Sequence, residues 1–140
     1  MFNAEAQRAL DVVRTLLDCY RRRDVDGCMA TIAADAPLLL LGTNEDEVFS
    51  TAEEVRGSFA HDFAGMTDIH IGEPTQLRAE ASATLASVIV EVPIAYTAEG
   101  SRAHAHIRYA LTLVHEHEAW KICAGVASVP FPAGAYPSTG

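Results

Sequence analysis

Apolar and polar positions alternate over the last third of the chain in three successive runs. Val88, Val90, Val92, Ile94 and Tyr96 alternate with Ser87, Glu91 and Pro93, and Ile107, Tyr109, Leu111 and Leu113 alternate with His106, Arg108, Ala110 and Thr112. Trp120, Ile122, Ala124 and Val126 close the series. A period of two marks a half-buried strand. The pattern predicts strands over roughly 82–97, 102–116 and 119–129, joined by hairpins at Glu99-Gly100 and His117-Glu118. A symmetric turn at Glu99-Gly100 sets Val88 opposite Leu111, Val90 opposite Tyr109 and Val92 opposite Ile107. On the other face it sets Glu91 opposite Arg108, Ser87 opposite Thr112 and Pro93 opposite His106. Apolar meets apolar and acid meets base, and a slip of one residue would set the faces against each other. Carried through the second turn, the same reasoning sets Leu113 against Ile122, Leu111 against Ala124 and Tyr109 against Val126.

Upstream the period changes. Ala9, Val13, Leu16, Leu17 and Tyr20 fall at helical spacing, with Asp11, Arg14 and Asp18 opposite, which predicts an amphipathic helix from Glu5 to Arg23. Asp24 offers an N-cap to a short second helix through Cys28, Met29 and Ile32, stopping near Pro37 because the residue before a proline resists helical geometry. A strand over 38–41 and a polar loop over 42–47 follow. Thr51-x-x-Glu54 is a capping-box signature opening a third helix through Val55, Phe59 and Phe63 that ends near Gly65. Ile69 and Ile71 begin a further strand, interrupted at Gly72 and Pro74 and continued over 75–81 after a bulge or bend.

At 140 residues the chain is expected to form one domain over 1–130, followed by an extended C-terminal tail over 131–140. A hydrophobic share of 49% and a charged share of 21% are ordinary for a globular protein, and no apolar run approaches the ~20 residues a membrane span requires. The N-terminus lacks the basic and apolar regions of a secretory signal, so a cytoplasmic location is expected. Cys19, Cys28 and Cys123 form no C-x-x-C pair, which argues against a disulfide framework or structural zinc. The net charge of −9 repels phosphate backbones, and the Arg21-Arg22-Arg23 run ends a helix, where cations meet the macrodipole favourably. Neither a nucleic acid nor a membrane is an expected partner.

Three helices, a strand and a long bent antiparallel sheet make an α+β order that resembles the nuclear transport factor 2-like fold, specifically its SnoaL-like branch. The residues carrying the likeness are Tyr20-Arg21-Arg22-Arg23-Asp24, the Gly42-Thr43 loop with Glu47 and the helix start after it, Arg108, and Trp120-Lys121-Ile122 with Ser128-x-Pro130. The resemblance implies a cone in which a curved, mainly antiparallel sheet wraps the three N-terminal helices around a ligand cavity, with homodimers packed through the sheets. Members of that group include isomerases, cyclases, dehydratases and proteins without known activity, and no cofactor is implied. Related chains often carry a histidine at the position of Val126. An apolar residue stands there, so the resemblance transfers no histidine to the cavity.

On the expected cavity face the polar groups are Tyr96, Tyr109, His115 and Ser128, joined by Tyr20 from the first helix, with Trp120 and Val126 as apolar wall. A buried tyrosine hydroxyl there could serve a developing oxyanion or cap the core through a backbone carbonyl. Candidates for a general base are Asp35, His61, Asp62 and His70; neighbours on a helix diverge, so His61 and Asp62 are expected at the solvated surface. The pairs His104/His106 and His115/His117 lie about 36 Å apart along an extended strand at roughly 3.3 Å per residue, and neither carries a carboxylate or cysteine at ligand spacing, so no metal site is expected. Glu91 and Arg108 sit on the mixed face among small residues, either as an ion pair in a dimer interface or as a clamp for an acidic ligand.

The expected function is binding of a small, largely apolar organic molecule. One alternative is a cofactor-free isomerase, cyclase or hydratase working by proton transfer, which requires an acid or base facing inward. Another is a homodimeric assembly module with no ligand. A cavity of about 300 Å³ or more would separate a binder from a scaffold.

Overall fold

The computed structural model describes residues 2–137. Three helices, α1 (Ala4–Arg21), α2 (Val25–Met29) and α3 (Ala52–Gly65), pack on a sheet of seven strands. The strands are β1 (Leu39–Leu41), β2 (Val48–Phe49), β3 (Thr67–Ile71), β4 (Gln76–Ala81), β5 (Leu85–Ala98), β6 (Ser101–Glu116) and β7 (Ala119–Ser128). Their order is β2-β1-β7-β6-β5-β3, with β4 also paired to β5; β1 runs parallel to β7 and the other pairings are antiparallel. This is the α+β cone expected from the sequence. Among the described residues no helix is long and apolar enough to cross a membrane.

Each helix starts where a side chain can satisfy its free backbone N–H groups. Asn3 accepts from the Ala6 amide at 2.8 Å, Asp24 from Gly27 at 2.9 Å, and Thr51 from Glu54 at 3.1 Å, with the Glu54 carboxylate returning to the Thr51 amide to complete the box. The second helix ends at Met29, earlier than the apolar spacing suggests. Ile32 instead bridges Ile122 in parallel, and Ala33 donates to the Ile122 carbonyl at 2.8 Å. Strand β2 follows the polar loop and closes it into a hairpin that the sequence pattern, only two residues long there, does not reveal.

The β5–β6 register is the expected one, from Leu85 opposite Val114 to Ala98 opposite Ser101. Glu99 and Gly100 both have positive φ, at 50° and 78°, as a two-residue hairpin matched to strand twist requires. The β6–β7 register departs from expectation. Leu113 faces Ile122, but Leu111 faces Gly125, Ala110 faces Val126 and Tyr109 faces Ala127, because a bulge accommodates Cys123 as one extra residue. Beyond it, Gly125 and Ala127 share the face of Leu111 and Tyr109, while Ala124, Val126 and Ser128 turn to the opposite face.

The main core lies between α1 and the concave face of the sheet, built on Leu10, Val13, Val88, Val90, Leu113 and Ile122. A smaller cluster of Cys19, Cys28, Phe63, Ile69 and Ile94 joins the ends of α1, α2 and α3 to β3. The tail after β7 is not simply extended: a turn from Pro132 to Ala135 brings the exposed rings of Phe131 and Tyr136 to 5.4 Å. Residues 138–140 of the expected tail lie outside the described residues.

The break between β3 and β4 has a local cause. Both strands pair with β5, and at the junction Gly72 donates to the Pro93 carbonyl at 2.9 Å while a Cβ at Gly72 would stand 2.7 Å from Pro93 Cγ. Gly72→Ala should therefore cost about 1–3 kcal/mol in urea unfolding, as overpacking does. In a Pro93→Ala background the penalty should fall to less than half, and an equal penalty in both backgrounds would show that this contact is not the reason for the glycine.

Candidate functional site

A cavity of about 190 Å³ opens between α1, α3, the β1–β2 hairpin and the concave face of β6 and β7. Its wall is mainly apolar, with Leu16, Leu40, Phe59 and Leu111 among the contributors. The room derives partly from the bulge, which turns Gly125 and Ala127 toward the cavity where larger residues would fill it. The volume falls below the 300 Å³ expected of a binder. It is still of the order of a cavity of about 150 Å³ that holds benzene.

Two charged side chains line this space, Asp62 and Glu47, and no lysine, arginine or histidine is among its lining residues. Asp62 reaches it because the third helix presents Val55, Phe59 and Asp62 on one face, at i, i+4 and i+7. The Tyr20 hydroxyl at the end of α1 donates to Asp62 Oδ2 at 2.7 Å. Tyr20 is held in turn by the rings of α3, with Phe63 at 4.9 Å and 66° and Phe59 at 6.3 Å and 69°. Tyr109 lines the cavity from β6, and among the described residues its hydroxyl has no hydrogen-bond partner in the protein.

Burial pushes the Asp62 carboxyl above the usual carboxylate range; the Tyr20 hydrogen bond opposes that shift, and the Glu47 charge adds to it. Burial, followed by the Asp62 charge, raises both Tyr20 and Tyr109 well above an ordinary phenol, so both remain protonated donors at neutral pH. The arrangement unites a carboxyl of raised proton affinity, a phenol fixing its orientation, and a second phenol free to donate. Such a set can take a proton from a carbon acid and stabilise the resulting oxyanion.

The expected cavity residues divide. Tyr20 and Tyr109 line the cavity; Trp120, Tyr96, Ser128 and His115 do not. Trp120 is buried in the main core and donates to Glu5 Oε2 at 2.8 Å, with His115 packed edge-on against it at 4.9 Å. Tyr96 packs on the second cluster, beyond the reach of the cavity. Val126 touches the cavity rim, but the bulge turns its side chain to the face of Ala110, where it is 47% exposed. The same shift carries Ser128 to a place opposite Arg108. Asp62, expected at the surface, is the half-buried carboxyl of the site. Its helical spacing from Val55 and Phe59 was the available signal. Glu47, named from the sequence only among the residues carrying the family likeness, and Ser58, not singled out, also line the cavity, and Ser58 shares the face of Val55 and Asp62.

Of the other base candidates, His61 and His70 are exposed, and Asp35 pairs with His117 at the surface. On the convex face Glu91 accepts from Arg108 Nε at 2.6 Å and from the Thr75 hydroxyl at 2.7 Å, and these bonds hold its carboxyl below the usual range. His70, His104 and His106 border a groove on that face floored by Pro93 and Ala95. Among the described residues no group of three or more histidine, cysteine or acidic side chains is arranged to hold a metal.

Known structures share this architecture. A ketosteroid isomerase-like protein from Erwinia carotovora atroseptica SCRI1043 superposes with a TM-score of 0.78 at 19% identity, over 94% of this chain and 100% of the other. A nuclear transport factor 2-like family protein from Streptomyces avermitilis, provisionally named a dehydratase, gives 0.83 at 15% identity, over 93% and 99%. A nuclear transport factor 2-like protein of unknown function from Pseudomonas putida KT2440 gives 0.76 at 16% identity, over 96% and 92%. At these identities the likeness is one of fold. Comparison with curated proteins gives no significant match. The SnoaL-like domain profile matches residues 10–132, nearly the whole of the cone just described, and the chain belongs to the SnoaL-like domain family.

Proposed function

We propose that the protein is a cofactor-free enzyme that moves a proton within a small, largely apolar organic molecule held in the α1–α3 cavity, as an isomerase, cyclase or hydratase does. The observation that carries this reading is the Tyr20–Asp62 hydrogen bond of 2.7 Å inside a mainly apolar wall. Asp62 is the base: its carboxylate takes a proton from a carbon next to a carbonyl, the C–H electrons form the new C=C bond, and the carbonyl oxygen gains the negative charge. Tyr109 donates to that oxygen. The carbonyl then re-forms: protonated Asp62 gives the proton to the far carbon of a conjugated enolate, which completes an isomerisation, or to a hydroxyl on the β-carbon as its C–O bond breaks and the enolate electrons make the C=C bond, so that water leaves and a dehydration is complete. Tyr20 holds the carboxyl in place through both steps. The cytoplasm is the proposed setting, consistent with three cysteines that remain free thiols.

We further propose a homodimer formed through the convex sheet face. Support comes from an apolar patch on it, with Ile89 48% and Val126 47% exposed on either side of Ala110 and Leu39, 49% exposed, beside Ala124 in the neighbouring row, flanked by the Glu91–Arg108 pair. Sedimentation of the wild type should give a dimer, and Ile89→Asp should shift it to a monomer while leaving the far-ultraviolet circular dichroism intact. A monomeric wild type would remove this part of the reading.

Proton transfer is measured by α-carbon deuterium exchange of acetophenone and related ketones in D₂O, followed by NMR. Asp62→Asn should lower exchange by about 10²–10⁴-fold, the usual worth of a general base. Exchange in the wild type no faster than in buffer, for a ketone shown to bind, would sink the catalytic reading. Stability supplies a second check. A carboxyl whose folded pKa is raised favours the folded state most below the unfolded value and loses that contribution as the pH rises through the folded one. Asp62→Asn should therefore melt higher than the wild type at neutral pH, with the gap closing in acid below the ordinary carboxylate range.

A further inference from the structure

Among the described residues the β1–β2 hairpin supplies the one charged side chain that lines the cavity besides Asp62, and close contacts fix its geometry. Glu47 folds back across Gly42: a Cβ at Gly42 would stand 2.7 Å from Glu47 Cβ and 2.8 Å from its Cδ. The hairpin closes with Gly42 donating to the Glu47 carbonyl at 2.8 Å, and the Asn44 amide donates to Glu47 Oε1 at 2.7 Å. Glu47 is half-buried, whereas Thr43 through Asp46 are exposed, so the hairpin forms the open side of the cavity and Glu47 its inner edge. Glu45 and Asp46 add two acids to the same loop.

We propose that Glu47 is a specificity-determining residue that, with Asp62, makes the entrance of the cavity anionic and restricts it to uncharged ligands, excluding carboxylates and phosphates of the same shape. The inference rests on the α1–α3 cavity being the binding site proposed above. The lining holds two acids and no cation to compensate an anionic ligand. An anion entering would meet like charge in a partly desolvated space, which disfavours it against a neutral ligand of the same shape. The groups acting on Asp62 are Tyr20 from α1, Tyr109 from β6 and Glu47 from the hairpin, together with the charge of the exposed His61 next to it on α3. The nearby cations are committed elsewhere, Arg23 to the Phe63 carbonyl and Arg56 to Asp26. Glu47 also acts on Asp62 directly, since its charge opposes ionisation of that carboxyl.

Acetophenone and benzoate test this as near-isosteres that differ in charge. Calorimetric titration at neutral pH should show the wild type binding acetophenone at least about tenfold more tightly than benzoate. Glu47→Gln should narrow that ratio by about fivefold or more through gained benzoate affinity, with acetophenone unchanged within about twofold. Glu45→Gln, on the exposed part of the loop, should change the ratio far less. Independently of any ligand, the pH midpoint of the Asp62 carboxyl, followed by carbon-13 NMR and assigned with Asp62→Asn, should fall in Glu47→Gln. An unchanged ratio and an unchanged midpoint, or equal effects of Glu45→Gln and Glu47→Gln, would overturn the proposal. Acetophenone binding that survives Leu40→Trp, a substitution that fills the cavity, would instead overturn the assignment of the binding site.

Discussion

The unbroken pairing of β5 with β6, from Leu85 opposite Val114 to Ala98 opposite Ser101, determines which side chains meet the helices and which meet solvent. Because side chains alternate across a strand, a shift of one residue would carry Val88, Val90 and Val92 out of the core and Glu91 into it. All three valines are almost fully buried, so the register is worth most of the main core. Every other strand is placed by reference to this pair: β3 and β4 by their partners on β5, β7 by its partners on β6, β1 through β7, and β2 through β1. Tyr109 stands near the middle of β6, and the ladder alone decides that it faces the cavity while Arg108 faces outward.

What the sequence revealed follows from that arrangement. Two-residue turns with φ > 0 at Glu99 and Gly100 leave little freedom, so the face of Tyr109 and the Glu91–Arg108 pairing could be derived by counting from the turn. The bulge at Cys123 could not. Ala124, Gly125, Val126 and Ala127 are all small or apolar, so their pattern fits either parity, and only the packing of β1 against β7 resolves it. Asp62 escaped for a different reason. Its helical phase matched Val55 and Phe59, but a carboxylate on a short helix is usually solvated, and the hydroxyl that compensates its burial comes from Tyr20, forty-two residues earlier. Pairings of that kind depend on how α1 and α3 meet, which local spacing does not encode.

The Tyr20–Asp62 bond joins packing to chemistry. Tyr20 is wedged against Phe59 and Phe63, so the contact that docks the end of α1 on α3 also aims its hydroxyl at the carboxyl. A carboxyl at that depth without a donor would be costly, and with several donors it would be held ionised and a poor base. One phenol is an intermediate solution. It orients the group while burial continues to raise its proton affinity. The fold thereby carries a local destabilisation at the site, as proteins often do where reactivity is required.

Space and charge in this cavity have separate origins. The sheet supplies space: the bulge turns Gly125 and Ala127 inward, and a Cβ at Gly125 would already stand 2.5 Å from Leu111 Cδ2. The sheet adds one donor, Tyr109, and no ionisable acid or base of ordinary range. Charge is supplied from the opposite wall, by Asp62 on α3 and Glu47 on the hairpin that precedes it. The expectation that no histidine enters the cavity from position 126 has a structural reason beside the lack of the residue. A side chain at 126 shares the convex face with Ala110, so even a histidine there would point away from Asp62 in this register. Changes in β7 can be expected to alter the size of what fits, and changes in α3 and its hairpin to alter what is done to it.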